Sequence, residues 1–432
     1  MIFRRMNGVR LPHRKATAGM PAVDLPTPSN VVIPMSMHIG APAKPIVKIG
    51  DEVKVGQLIA EAGGFVSAPI YASVSGKVKK LDALTDSFGR AVPTVVIESD
   101  GLMTPVDGLA PRTVQSPAEL ADAARDAGLV GLGGAGFPTA VKLAVDPERV
   151  SEIVINGAEC EPYITTDTRT MLDRTDEVVR GARLLSRIYG ADVLFGIERN
   201  KPEAIERLAA ELASDTRIKV CPLPEIYPQG GEKVLVYHTT GKLIGEGKLP
   251  LDVGVIVINV TTVAALVRFL DTGMPLVAKT VTVEGSAVRE PKNVTCPIGT
   301  PMQVLYDFCG GFKAEPRKLL YGGPMMGVAV PSADYPIMKT TNAIVALAKD
   351  EALLPETTEC IRCGKCASAC PLRLTPYAIA SAVEHKNTEA LTALSVGLCM
   401  ECGCCSFTCP AHRPLVQSNR LGKTILKTKG GK

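Results

Sequence analysis

Apolar and polar positions change rhythm several times along the chain. Between residues 30 and 100, short Val- and Ile-rich runs alternate with Gly and Pro (VVIPMSMHIGAPAKPIVKIGDEVKVGQLIAEAGG). That texture predicts short strands joined by turns, closing into a small barrel or sandwich. From Ser116 the rhythm lengthens. Ser116-Pro117-Ala118-Glu119 offers an N-cap, a proline at the first helical position and an acid at the third, opening a helix to Ala127. Apolar strands are expected at Ile153–Asn156, Val193–Ile197 and Val253–Val260, with helices at about Asp176–Tyr189 and Pro202–Ala213 between them. This alternation is the mark of an α/β domain with a mainly parallel sheet. From Lys279 a β-rich run (KTVTVEGSAV) leads into a helix at Pro301–Phe308 and a Gly-rich strand ending YGGPMMG, which reads as a small β-grasp module. The last stretch, Glu351–Lys432, is helical between cysteine motifs.

The 432 residues, 46% apolar and 21% charged, suit a packed multidomain α/β chain rather than a disordered one. The expected division is an arm at 1–29, a barrel-sandwich domain at 30–103, an α/β domain at 113–272, a β-grasp module at 275–345 and a helical module at 351–432. The most apolar stretch, Asp252–Leu270, contains Asn259 and Arg268 and reads as a buried strand entering a helix, not a membrane span. Met1–Lys15 has basic residues but no apolar stretch behind them, which argues against a secretory leader.

Charge is uneven. Five basic residues and no acid occupy 1–20, and six basic residues and no acid occupy 410–432. The remaining body holds 37 basic against 44 acidic residues. Both ends are expected to be solvated and flexible, with contact to anionic lipid or an acidic partner as the alternative. Aromatic residues are only 4%, and no basic stripe alternates with stacking residues, so nucleic acid is not an expected partner.

Nine of the 13 cysteines lie between Cys360 and Cys409. Cys360-x-x-Cys363-x-x-Cys366-x-x-x-Cys370-Pro371 recurs as Cys399-x-x-Cys402-x-x-Cys405-x-x-x-Cys409-Pro410. This is the bacterial ferredoxin run, in which three closely spaced thiolates hold one [4Fe–4S] cube and the fourth reaches the other. Cys360, Cys363, Cys366 and Cys409 are therefore expected at one cluster, and Cys370, Cys399, Cys402 and Cys405 at the second. Structural zinc prefers two separated CxxC pairs. Cys404 is the odd cysteine, expected to pack rather than ligate.

Gly131-Leu132-Gly133-Gly134-Ala135-Gly136-Phe137-Pro138 has the letters of a dinucleotide fingerprint, but a helix precedes it rather than a strand. What remains is a glycine-rich loop with free backbone N–H groups. Pro138 is expected at the first position of the next helix and Lys142 in its first turn, a ready anion site. Asn156-Gly157-Ala158-Glu159-Cys160-Glu161 leaves a strand end, Tyr227-Pro-Gln-Gly230-Gly231-Glu232 forms a second acid loop, and Asn259 ends the third strand. Each alone reads equally as a turn or a solvated acid; three such loops upstream of a cluster module favour a cofactor site.

GLGGAGFPTAVK, VINGAECEPY, YPQGGEK and VINVTT resemble the flavin segments of the NADH-oxidising subunit of respiratory complex I. Leu132 stands where that family has an arginine. Gly50-Asp51-x-Val53, Ala68-Pro69 and Ser75-Gly76 resemble a biotinyl/lipoyl-type domain, yet Glu61-Ala62-Gly63-Gly64 occupies the carrier tip and no lysine falls between Lys54 and Lys77. A docking role is expected for it. The succession of barrel, flavin unit and two ferredoxin runs resembles the RnfC family, a subunit of Rnf ion-translocating ferredoxin:NAD oxidoreductases. That resemblance implies a Rossmann-like flavin domain, an SLBB-like β-grasp module, non-covalent FMN and NAD(H) as substrate. It places Gly131, Gly133, Gly134, Gly136, Phe137, Lys142, Asn156, Glu159, Glu161, Gly231, Glu232 and Asn259 at the cofactor. It further implies membrane-embedded and ferredoxin-accepting Rnf subunits as partners and a peripheral position on the cytoplasmic face of the bacterial membrane. A cobalamin reductase of the propanediol-utilisation type and a flavin-less relay adaptor are the alternatives.

Overall fold

The structure, a computed structural model, describes residues 6–86 and 89–430. Arg4, Arg5 and Lys432 of the two basic ends lie outside the described residues.

The barrel-sandwich forms from two small antiparallel sheets. One orders the strands Asn30–Pro34, Ala91–Ser99, Gly76–Thr85 and Glu52–Val53; the other orders Lys44–Pro45, Leu58–Glu61 and Ile70–Tyr71. Alternation drives it: Val31 and Ile33 point inward with Ile59, Val78, Val95 and Ile97, all buried in one core.

The helix Pro117–Asp126 begins where its cap residues require, with Ser116 Oγ accepting from the N–H of Glu119. It leads into a four-stranded parallel sheet in the order Ile218–Leu223, Asp192–Glu198, Glu152–Asn156, Val255–Asn259. Val255–Asn259 runs directly into the helix Val260–Thr272, so the apolar Asp252–Leu270 stretch is buried within the sheet and its helix. Helices Thr175–Tyr189 and Val260–Thr272 pack on each other over a core including Ile153, Ile155, Phe195 and Val263.

A six-stranded mixed sheet follows. Its order is Val23–Asp24, Lys292–Pro297, Ala278–Glu284, Ala343–Ala348, Pro316–Tyr321, Val328–Val330, with the helix Met302–Phe308 buried against it. The first of these strands comes from the N-terminal arm, Val23 and Asp24 pairing in parallel with Val294 and Thr295. The expectation of a solvated, flexible arm is thereby corrected over its described residues. Lys15 and Thr17 are bonded into the body, and Arg14 pairs with Glu351. At the other end, the helix Leu415–Gly430 packs Ile425 and Leu426 against the C-terminal core, so that end too is ordered through most of its length. The cysteine module is otherwise made of short helices, Lys365–Ala369, Pro376–Glu384, Thr388–Ala393 and Cys404–Phe407. Among the described residues no helix is long and apolar enough to cross a membrane.

Candidate functional site

The glycine loop is a closed lobe. Val130 bridges Pro138, and the Gly131 N–H donates to the Phe137 carbonyl at 2.9 Å. Its base is fixed from behind. Leu132 is buried with Ala68 and Val130; its N–H donates to Thr262 Oγ1 at 3.0 Å, and its carbonyl accepts from Lys279 Nζ at 2.8 Å. Gly133, Gly134 and Ala135 at the tip are exposed.

The glycines differ in what they serve. A Cβ on Gly133 would stand 2.3 Å from Asn259 Nδ2, and one on Gly136 (φ +71°) 2.6 Å from Thr340 Cγ2. Those two are demanded by packing and, at Gly136, by backbone conformation. A Cβ on Gly134 would meet no protein atom within 4 Å. The helix after the lobe is shorter than expected, Thr139–Leu143, with Pro138 at its N-cap. Lys142 accordingly falls in its last turn, not its first. Its ammonium donates to the Val257 carbonyl at 2.8 Å and lies 3.6 Å from Glu232.

Asn156 and Asn259 end neighbouring parallel strands in direct register. Ligand crevices of open α/β sheets form at such carboxyl ends. Asn156 Nδ2 donates to the Gly230 carbonyl at 3.0 Å, joining the two acid loops. Asn259 Oδ1 accepts from the N–H groups of Thr261 and Thr262, capping the helix Val260–Thr272, while Nδ2 donates to Asp167 at 2.8 Å.

The three acids part company. Glu159 is buried and accepts from the N–H groups of Asp167 (2.6 Å) and Thr168 (3.2 Å), capping the helix Thr166–Asp173. Glu161 faces the mixed sheet, accepting from the N–H groups of Met325 (3.2 Å) and Met326 (2.7 Å); burial pushes its carboxyl up to about 7. Glu232 opens the helix Glu232–Thr240 and stays partly exposed. Sequence reasoning missed Asp167, whose carboxyl burial and the neighbouring Glu159 push up to about 6, and Lys279, which burial pulls down to about 7. Neither stands in a motif; only the fold brings them beneath the lobe.

The eight motif cysteines ring two separate cavities. Cys370, Cys399, Cys402 and Cys405 line one, together with Cys404 and Met400; Cys360, Cys363, Cys366 and Cys409 line the other. Among the described residues no group of three or more His, Cys, Asp or Glu is placed around a single ion. Two short helices explain the crossing. Lys365–Ala369 carries Cys366 and ends at Cys370, whose Sγ lines the opposite cavity; Cys404–Phe407 does the same with Cys405 and Cys409. Cys404 is 1% exposed and its thiol donates to the Tyr227 carbonyl, so it packs between modules.

The first cavity abuts the acid loops. Tyr227 Oη donates to the Cys402 carbonyl at 2.8 Å, and a Cβ on Gly231 would lie 2.0 Å from Met400 Cε. The second cavity opens outward, with Cys360 and Cys363 exposed.

A glycine lobe at the carboxyl edge of a parallel sheet, next to paired ferredoxin-type thiol cavities, defines an iron–sulfur flavoprotein of the electron-transferring oxidoreductases. Similarity to known proteins narrows this. Residues 124–268 match the Nuo51 FMN-binding domain, 3–102 the RnfC barrel sandwich hybrid domain and 280–329 the SLBB domain. The chain is 45% identical to the RnfC-type subunit of the Na(+)-translocating ferredoxin:NAD(+) oxidoreductase complex of Acetobacterium woodii, covering 86% of each chain. It is 45% identical to the corresponding subunit of the proton-translocating complex of Clostridium ljungdahlii, over 84% of this chain and 80% of that one. It is 40% identical to the corresponding subunit of the ion-translocating oxidoreductase complex of Rhodobacter capsulatus, over 95% of this chain and 80% of that one. The chain belongs to the RnfC family of ion-translocating oxidoreductase complexes. Among solved structures, an NAD+-reducing [NiFe]-hydrogenase superposes with a TM-score of 0.47 at 18% identity, over 72% of this chain and 61% of that one.

Proposed function

We propose that this chain is the peripheral electron-transfer subunit of an Rnf-type complex, passing electrons between NAD(H) and membrane-embedded partners at the cytoplasmic face of the bacterial membrane. Bound FMN supplies the conversion between two-electron exchange with NAD(H) and one-electron exchange with clusters. The residues present suit that group. Gly133 and Gly136 hold the lobe, Gly134 leaves a tip free of protein contact, and the exposed N–H groups of 133–135 are aimed outward for a phosphate. Asn156, Asn259 and the acid loops wall the rest of the crevice, Phe137 lies beside the lobe and Lys142 braces it from below.

One thiol set, Cys370, Cys399, Cys402 and Cys405, holds the cluster nearer the flavin crevice in this reading; Cys360, Cys363, Cys366 and Cys409 hold the outer one. The observation that carries the proposal is the junction. Tyr227 and Gly231 of the second acid loop touch Cys402 and Met400 of the inner cavity, so crevice and cluster share a wall. N–H donors aimed at cluster thiolates, such as Glu401 N–H and Asn419 Nδ2 on Cys399, raise a cluster's potential and so favour its reduction. Anaerobic purification tests the whole: one FMN, about eight irons and about eight sulfides per chain, with NADH bleaching flavin and clusters together. A chain with clusters but no flavin band is a relay adaptor, and corrinoid reduction by NADH would move it to the cobalamin reductases.

A further inference from the structure

The N-terminal arm crosses both acid loops before it reaches its own domain. Val9 pairs with Tyr227 through two backbone bonds of 2.9 Å, and Tyr163 N–H donates to the His13 carbonyl at 3.0 Å. Between these anchors, Lys15 Nζ donates to the carbonyls of Glu159 (3.0 Å), Glu161 (3.0 Å) and Ile164. Thr17 Oγ1 then bonds Thr165 Oγ1 at 2.6 Å, and Asn293 Nδ2 of the mixed sheet donates to the Thr17 carbonyl at 3.0 Å. The loop so gripped is strained, since Glu159 (φ +47°) and Tyr163 (φ +71°) both adopt left-handed backbone conformations.

The clamp also carries charge. Lys201 beneath the same loop donates to the Ala158 carbonyl at 2.6 Å but is neutralised by Glu198 at 3.2 Å. Lys15 bonds carbonyl oxygens, and among the described residues no carboxylate lies within ion-pair distance of it. A buried ammonium without a counter-charge is costly. Negative charge gained by a group across the loop lowers that cost.

We propose that the arm is part of the cofactor site: Lys15 is a positioning residue that fixes the acid loop and favours the reduced state of the flavin. The inference rests on the reading of the glycine lobe as the FMN site, and residues 6–20 thus complete a crevice whose other walls begin more than a hundred residues later.

Lys15→Met in the full chain, purified anaerobically, is the test, read by FMN dissociation constant, by spectroelectrochemical midpoint of the bound flavin and by dithionite-reduced cluster spectra. FMN should bind at least about tenfold more weakly, and the midpoint should move to a more negative potential with both cluster signals intact. If Lys15→Met does not yield folded protein, Lys15→Gln retains two amide donors and removes only the charge; it should keep FMN and still show the negative shift. Wild-type affinity and midpoint in the variant overturn the role of Lys15 alone. A wild-type chain that binds no FMN overturns the flavin reading, and this inference with it.

Discussion

At the lobe, chemically identical glycines make different demands, and substitution separates them. Gly134→Val introduces a side chain into space that no protein atom occupies and at a backbone angle open to any residue. The fold should survive while the branched side chain blocks the approach of a phosphate to the 133–135 N–H groups. The variant is expected to carry its iron, lack FMN, and accept electrons from dithionite but not from NADH; stoichiometric flavin with full NADH reduction would make the lobe a structural turn. Gly133→Ala is the contrasting case, because its Cβ collides with the asparagine that caps a buried helix. Lys339 allows a second residue-scale prediction. It is 1% exposed, its ammonium donates to the carbonyls of Pro69 and Gly128 at 2.7 Å each, and burial pulls its pKa down to about 7. Its folded pKa lies below the ordinary lysine value near 10.4, so between those limits the unfolded chain holds more protons and stability rises with pH. The thermal midpoint of wild type relative to Lys339→Met should therefore shift in favour of wild type from pH 7 to pH 9. A difference independent of pH would show that this ammonium is not titrating.

Between elements, close approach outweighs propensity. Gly181 lies where helices Thr175–Tyr189 and Val260–Thr272 cross, and a Cβ there would stand 2.3 Å from Val263 Cγ1 and 3.1 Å from Val267 Cγ2. Alanine would gain about 1 kcal/mol of helix propensity, but overpacking a core costs about 1–3 kcal/mol. Gly181→Ala should lower the thermal midpoint; a raised midpoint would mean the helices separate freely. The same scale shows what can be read in advance. VIVIN and EIVIN are apolar runs closed by asparagine, and both form buried parallel strands. Ile218–Leu223 escapes notice because Lys219 and Pro222 interrupt it, which an edge strand tolerates. The helix Thr166–Asp173 escapes because its polar sequence has no local cap; Glu159, several residues upstream, supplies it. Glu159 and Glu161 look alike in the sequence, yet one caps a helix and the other meets the mixed sheet. That difference is tertiary and leaves no local signal. The arm defies its composition for a related reason: basic and proline-rich residues normally mark solvated chain, but carbonyls from three distant positions supply Lys15 with its partners.

Across the whole molecule the thiol spacing is legible because a cluster's ligands are mostly local, and the cavities give a sharper expectation for the two ligands that are not. Cys370 follows the helix that carries Cys366, and Cys409 follows the helix that carries Cys405; each lines the cavity of the other run. Cys370→Ser should therefore spare the cluster of its own run and damage the inner one, next to Tyr227. Iron should fall from about eight to about four per chain. NADH should still bleach the flavin, because the lobe and acid loops are untouched, but the surviving outer cluster should stay oxidised until dithionite is added, its neighbour in the path being gone. Cys409→Ser should give the converse, with the outer cluster lost and the inner one still reduced by NADH. The pair of variants is decisive because iron content alone cannot distinguish them, whereas reduction by NADH can. If both variants leave the same cluster spectrum behind, the thiols do not cross between cavities, and the path from crevice to inner to outer cluster is wrong.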